Sequence, residues 1–135
     1  MREISPEIKK LRNLKRLAGG NNELEFLPDE LGMLDEITWM DFTHNRLTTV
    51  PDSIKNLKNL AGLGLSDNRL GEFPASICEL QSLQKFGIFN NMITSIPASI
   101  NRLQQLVKLD ISNNMLTTLP EEIGDLKSLT WLNIW

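Results

Sequence analysis

Apolar residues recur along this chain with a period of 23 positions. Leu34, Leu57, Leu80, Leu103 and Leu126 form one column. Met40, Leu63, Phe86, Leu109 and Leu132 form a second, and Phe42, Leu65, Ile88, Ile111 and Ile134 a third. Prolines keep the same step at 28, 51, 74, 97 and 120, and asparagines keep it at 22, 45, 68, 91 and 114. A fixed period of this length marks a repeat architecture. Written once, the unit is L-P-x-x-I-x-x-L-x-x-L-x-x-L-x-L-x-x-N-x-L-x-x, and residues 119–134, LPEEIGDLKSLTWLNI, show most of it. The segment from Ile4 is a degenerate first copy. Its proline comes one place late, at Pro6, and Gly19 stands where the other copies carry a bulky apolar residue.

Two elements follow from the unit. The L-x-L core has period 2, so Leu109 and Ile111 point to one face while Lys108, Asp110 and Ser112 point to the other. One such strand cannot bury its own apolar side. Successive copies are therefore expected to stack as a parallel sheet at about 4.8 Å per step, six strands spanning about 24 Å. The returning half, Pro97-Ala98-Ser99-Ile100-Asn101-Arg102-Leu103, places apolar residues at i and i+3, which fits one or two turns of α- or 3-10 helix on the outer side. Proline suits the first turn, where its missing N–H has no helical partner. After each strand the chain turns while still partly buried, and its backbone groups need partners. Asn22, Asn45, Asn68, Asn91 and Asn114 are expected to supply them as a stacked ladder, each amide bonding its own turn and its neighbour's.

On these motifs the chain resembles leucine-rich-repeat proteins of the intracellular 23-residue L-P-x-x-I class, such as the Ras-suppressor, Scribble/Erbin and plant intracellular Ras-group-related types. The resemblance covers residues 4–135. It implies an α/β fold: a right-handed, curved solenoid with a parallel β-sheet on the concave face and short helical or 3-10 turns on the convex face. Residues 1–135 then read as a single domain, with a degenerate repeat at about 4–26, repeats at 27–49, 50–72, 73–95 and 96–118, and a truncated one at 119–135. It also implies a non-catalytic protein-interaction module, a scaffold or adaptor in intracellular signalling. Small-GTPase, phosphatase or kinase complexes would be its partners. The alternatives are a leucine-rich-repeat segment of a larger enzyme or receptor, and a bacterial effector, since many bacterial proteins carry nearly the same repeat.

Composition narrows the field. With 135 residues, 41% apolar and 23% charged, the chain has the makings of one folded domain and not of a disordered one. A net charge of −3 argues against a nucleic-acid binder driven by bulk charge. The charge is uneven: residues 1–20 hold six basic and two acidic side chains, and residues 21–41 hold seven acidic and none basic. The basic run Lys9, Lys10, Arg12, Lys15 and Arg16 is read as a solvated surface beside that acidic block. No stretch is apolar for the roughly 18 residues a membrane span needs, the start carries charges throughout, and no Asn-x-Ser/Thr site occurs. A cytoplasmic location, with the nucleus as a variant, is expected.

Candidate chemistry is sparse. The single Cys78 excludes an intrachain disulfide or a cysteine zinc cluster and is read as a surface thiol of the return segment. His44 with Asp41 and Ser66 or Asp67 can be drawn as a hydrogen-bonded cluster, but on a repeat surface with no closed pocket it makes no active site. Gly62-x-Gly64 lacks the third glycine of a dinucleotide loop. No catalytic residue, metal or cofactor is therefore expected. The outward strand positions remain as a binding surface. Trp39, Phe89 and Trp131 are large aromatics at positions the repeat leaves free, and such residues anchor partners. Arg16, Asp41, Thr43, Lys85, Lys108 and Asp110 line the same face, while Gly62, Gly64 and Gly87 would leave a shallow trough for close approach. The C-terminal run, Leu129 to Trp135, ends on an apolar strand. Such an edge invites pairing. Three readings compete: a longer parent protein, which is preferred, self-association through this end, or Trp135 folded over it.

Overall fold

The computed structural model describes residues 1–135, and its architecture is a stack of six coils. Each contributes one three-residue strand: β1 (Arg16–Ala18), β2 (Trp39–Asp41), β3 (Gly62–Gly64), β4 (Lys85–Gly87), β5 (Lys108–Asp110) and β6 (Trp131–Asn133). They form one parallel sheet in sequence order. Every pairing joins residues 23 apart, as in Leu63 with Phe86 and Leu109 with Leu132. The sequence period is thus the sheet register itself.

Each return segment is a five-residue 3-10 helix, from Pro6–Lys10 to Glu121–Asp125, and none is an α-helix. The residues between proline and the next strand are too few for i→i+4 ladders to form and still turn back. Pro28, Pro51, Pro74, Pro97 and Pro120 stand one residue ahead of the helix, in extended conformation, and not within its first turn as expected. Pro6 is the exception. There Ser5 takes the capping place and accepts a hydrogen bond from the Glu7 amide, so the displaced proline sits inside the helix. Strands pack about 4.8 Å apart, whereas helical turns with side chains between them are thicker, so the stack bends with the sheet on its inner wall.

The core lies between sheet and return segments as one continuous column. Met40, Leu63, Phe86 and Leu109 from the strands meet Leu34, Leu57, Leu80 and Leu103 from the outer half, all essentially sealed from water. Phe73 and Phe86 meet edge to face, with centroids 5.7 Å apart. Gly19 is buried, and the space a side chain would take there is filled by the Phe42 ring of the next coil; an added Cβ would lie 2.7 Å from it. The large Phe42 thus offsets the missing side chain of the degenerate repeat. Cys78 corrects the surface reading. It is fully buried, with Ser99 and Arg102 of the next return segment beside it. At the C-terminal end burial fails: Leu132 and Ile134, whose column partners are sealed, are 37% and 58% exposed. Trp135 does not fold over them and is 95% exposed.

Candidate protein-binding face

The asparagine column determines how rigidly the sheet face is held. Asn91 accepts at Oδ1 from the Leu70 amide, and its Nδ2 donates to the carbonyls of Leu65 in the preceding coil and Ile88 in its own. Asn45, Asn68 and Asn114 repeat this bond for bond. Asn22 differs in both halves: its Oδ1 takes the Met1 ammonium at 3.0 Å, and its Nδ2 donates to the Gly19 and Gly20 carbonyls of its own turn. Met1 there stands where Leu24 stands one coil later, and its carbonyl accepts from the Glu23 amide. The sequence reading, which began at Ile4, missed this contact.

A second column went unread. The residues just before the ladder, Asn21, His44, Asp67, Asn90 and Asn113, all have φ between 51° and 57°. Only glycine and short polar residues adopt this left-handed conformation readily. The signal was present as a 23-spaced run of Asn, Asp and His. Their side chains form a surface ladder. His44 Nδ1 lies 3.4 Å from Asp67 Oδ2, Asn90 Nδ2 donates to Asp67 Oδ1, and Asn113 Nδ2 donates to Asn90 Oδ1 at 2.9 Å. His44 is therefore bound into a turn-forming row. Asp41, drawn beside it as a cluster, turns elsewhere.

Across the sheet, the first outward column reads Arg16, Trp39, Gly62, Lys85, Lys108, Trp131 in register. The Arg16 guanidinium stacks on the Trp39 ring at 4.4 Å from its centroid. Trp39 in turn lies over Gly62, where a Cβ would come within 2.6 Å of it. Trp39 is thus a half-buried platform, not a freestanding anchor, and Gly62 is covered and not open as expected. Phe89 is also half-buried, while Trp131 is 46% exposed. In the second column, Asp41 Oδ1 accepts from the Thr43 amide at 2.9 Å, and Asp110 Oδ1 accepts from the amide and hydroxyl of Ser112. Asp110 Oδ2 faces the Asn133 amide of β6. Gly64 leaves room for Asp41 and Thr43, and Gly87 for Ser66. The trough survives beside Trp39 as an open depression of about 300 Å³, lined by Trp39, Asp41, Gly64, Gly87, Lys85 and Lys108 among others.

Cys78 lies on the opposite side of the molecule. Burial pushes its thiol pKa up, partly offset by a hydrogen bond with the Ser99 side chain and by the Arg102 charge, while Glu79 adds to the rise. A protonated, sealed thiol is a poor nucleophile. No group of three or more His, Cys, Asp or Glu side chains is placed to hold a metal ion, and no helix is long and apolar enough to cross a membrane.

Comparison with known proteins agrees with this architecture. A family model described as a leucine-rich repeat region matches residues 60–135, and one described as leucine rich repeat matches residues 12–70. No curated protein matches the chain. Among solved structures, a leucine-rich-repeat protein of Leptospira interrogans is 31% identical, with a TM-score of 0.74 over 98% of this chain and 40% of that one. The leucine-rich-repeat ectodomain of the plant membrane receptor kinase GASSHO1/SCHENGEN3 from Arabidopsis thaliana, in complex with Casparian strip integrity factor 2, is 32% identical. Its TM-score is 0.89 over 98% of this chain and 16% of that one. An internalin of Listeria monocytogenes, at 22% identity, shares the fold with a TM-score of 0.75 over 96% of this chain and 44% of that one. The chain therefore spans less than half the length of each.

Proposed function

Because the chain belongs to the leucine-rich-repeat family, we propose that it is a non-catalytic interaction module whose inner sheet face binds a protein or peptide. Domains of this family generally serve that role. The observation that carries the reading is the outward column Arg16, Trp39, Lys85, Lys108 and Trp131, displayed on strands whose turns are locked by the asparagine ladder. Phe89 joins Trp39 and Trp131 as an anchor, and Asp41, Thr43 and Asp110 flank the column, with Arg16, Asp41, Lys85, Lys108 and Asp110 setting the register of the bound segment. Affinity capture tests it, with wild type beside a Trp39→Ala/Phe89→Ala double variant whose fold is checked by circular dichroism. Loss of the captured partner supports the reading; an unchanged partner set removes this face from consideration.

At finer resolution, the L-P-x-x-I columns support membership of the intracellular class. A scaffold or adaptor role beside small-GTPase, phosphatase or kinase complexes, in the cytoplasm or nucleus, would follow. Cell fractionation tests the location, and recovery only in a secreted or surface fraction would overturn it. A second reading has its own observation. The chain matches 16% to 44% of longer proteins, one of them a receptor kinase ectodomain, and is then the repeat segment of a larger receptor, enzyme or bacterial effector. The exposed Leu132 and Ile134 beside the free side of β6 favour a further contact, self-association through this end. Light scattering that reports a monomer at all concentrations rules it out.

A further inference from the structure

The sheet-face column carries positive charge that nothing in the chain neutralises. Lys85 and Lys108 are direct register partners, about 4.8 Å apart along the sheet, and both are exposed. Neither ammonium forms an ion pair; those present join Arg2, Lys10, Arg12, His44 and Arg46 to other groups. The nearby carboxylates are committed elsewhere. Asp41 accepts from the Thr43 amide and Asp110 from Ser112 and Asn133, and neither pairs with a lysine. Two adjacent like charges without a counterion are unfavourable in an isolated sheet. They become favourable when a carboxylate bridges them. In a chain of net charge −3 this is a local feature, not a consequence of overall basicity.

The flanking residues fix the rest of the ligand. Trp39 stands two steps before Lys85, and Trp131 one step after Lys108. At about 4.8 Å per step, the lysines lie roughly 10 and 14 Å from Trp39 and Trp131 lies roughly 19 Å from it. An extended peptide advances about 3.3 Å per residue. Every second side chain of such a strand faces the sheet, so with one residue on Trp39 those two and four beyond it, at about 7 and 13 Å, reach toward the lysines and the one six beyond reaches Trp131.

We propose that this column is a binding site for an extended acidic peptide, whose Asp or Glu side chains bridge Lys85 and Lys108 while apolar residues on either side pack on Trp39 and Trp131. This rests on the sheet face being the binding surface. A polyphosphate backbone is disfavoured, because Asp41 and Asp110 lie beside the column and would repel a continuous run of charge.

The test is fluorescence anisotropy with an end-blocked heptapeptide carrying leucine at its first and last positions, glutamate at the third and fifth, and serine elsewhere. Saturable binding by the wild type is expected. It should weaken about tenfold or more for the glutamine version of the peptide, and likewise for Lys85→Glu/Lys108→Glu. Both lysines are exposed and unpaired, so the double reversal leaves the fold intact; a melting curve checks this. If Trp39→Ala/Phe89→Ala abolishes binding but the double reversal does not, the lysine bridge is wrong and the face reading stands. If neither variant alters binding, both readings fall. No binding of the acidic peptide at millimolar concentration overturns the proposal, and so does equal binding of a single-stranded oligonucleotide at physiological salt.

Discussion

At the scale of the residue, two positions show how a side chain's role depends on the backbone beneath it. His44 occupies a left-handed turn position filled elsewhere by Asn or Asp. Histidine tolerates that conformation less well than asparagine, and its exposed pairing with Asp67 contributes little. His44→Asn is expected to raise stability by about 0.5 kcal/mol, seen as a higher urea midpoint with an unchanged slope. A lower midpoint would mean that the His44–Asp67 contact outweighs the backbone preference. Cys78 carries a pH consequence. Its folded pKa lies above that of a free thiol because burial disfavours the thiolate. Below the ordinary thiol value of about 8.5 both states are protonated and nothing changes. Above it the unfolded chain loses its proton first, so the folded state holds more protons and stability falls as pH rises. Denaturation midpoints measured from pH 8 to 10.5 should decline more steeply for the wild type than for Cys78→Ala. The repeat spacing located both positions but not their surroundings, because the period does not say that Ser99 and Arg102 of the next coil lie beside Cys78.

At the scale of the element, each coil is specified by what it presents to the next. Gly32 and Gly124 share one repeat position, yet their surroundings differ. A Cβ on Gly32 would lie 2.5 Å from the Ser53 carbonyl oxygen of the following return segment, whereas Gly124 has open space. Gly32→Ala should therefore cost about 1–3 kcal/mol. Gly124→Ala should be neutral or stabilising by about 0.4–1 kcal/mol through the unfolded chain. Parallel chemical denaturation of the two variants checks this, and equal effects would contradict the packing described. The ladder gives a companion case. Asn91→Ala leaves the buried Leu70 amide without its acceptor and the Leu65 and Ile88 carbonyls without a shared donor. A loss of about 2 kcal/mol or more is expected, since stranded buried groups cost about 1–3 kcal/mol each. The ladder was legible in advance because only a residue with both donor and acceptor can serve two coils at once. The 3-10 form was not, since i and i+3 spacing fits both helix types.

At the scale of the whole molecule, stability is distributed along the stack. Inner coils are covered on both sides, whereas β6 has a neighbour on one side only and leaves Leu132 and Ile134 partly in water. Local opening should therefore start there. Amide hydrogen exchange is expected to be slowest in β3 and β4 and fastest in β6. Equal protection at both ends and the centre would show a single cooperative unit. The amino-acid sequence by itself determined the coil length, the register of the sheet, the inward columns and the asparagine ladder. All of these follow from a period that must repeat for neighbouring apolar faces to cover one another. Only the tertiary structure decided that Cys78 is sealed, that Trp39 closes over Gly62, that Phe42 fills the gap at Gly19, and that Asp41 and Asp110 are held by Thr43, Ser112 and Asn133. Those outcomes depend on which atoms one coil leaves room for in the next. A period records where residues recur, but says nothing of the space between them.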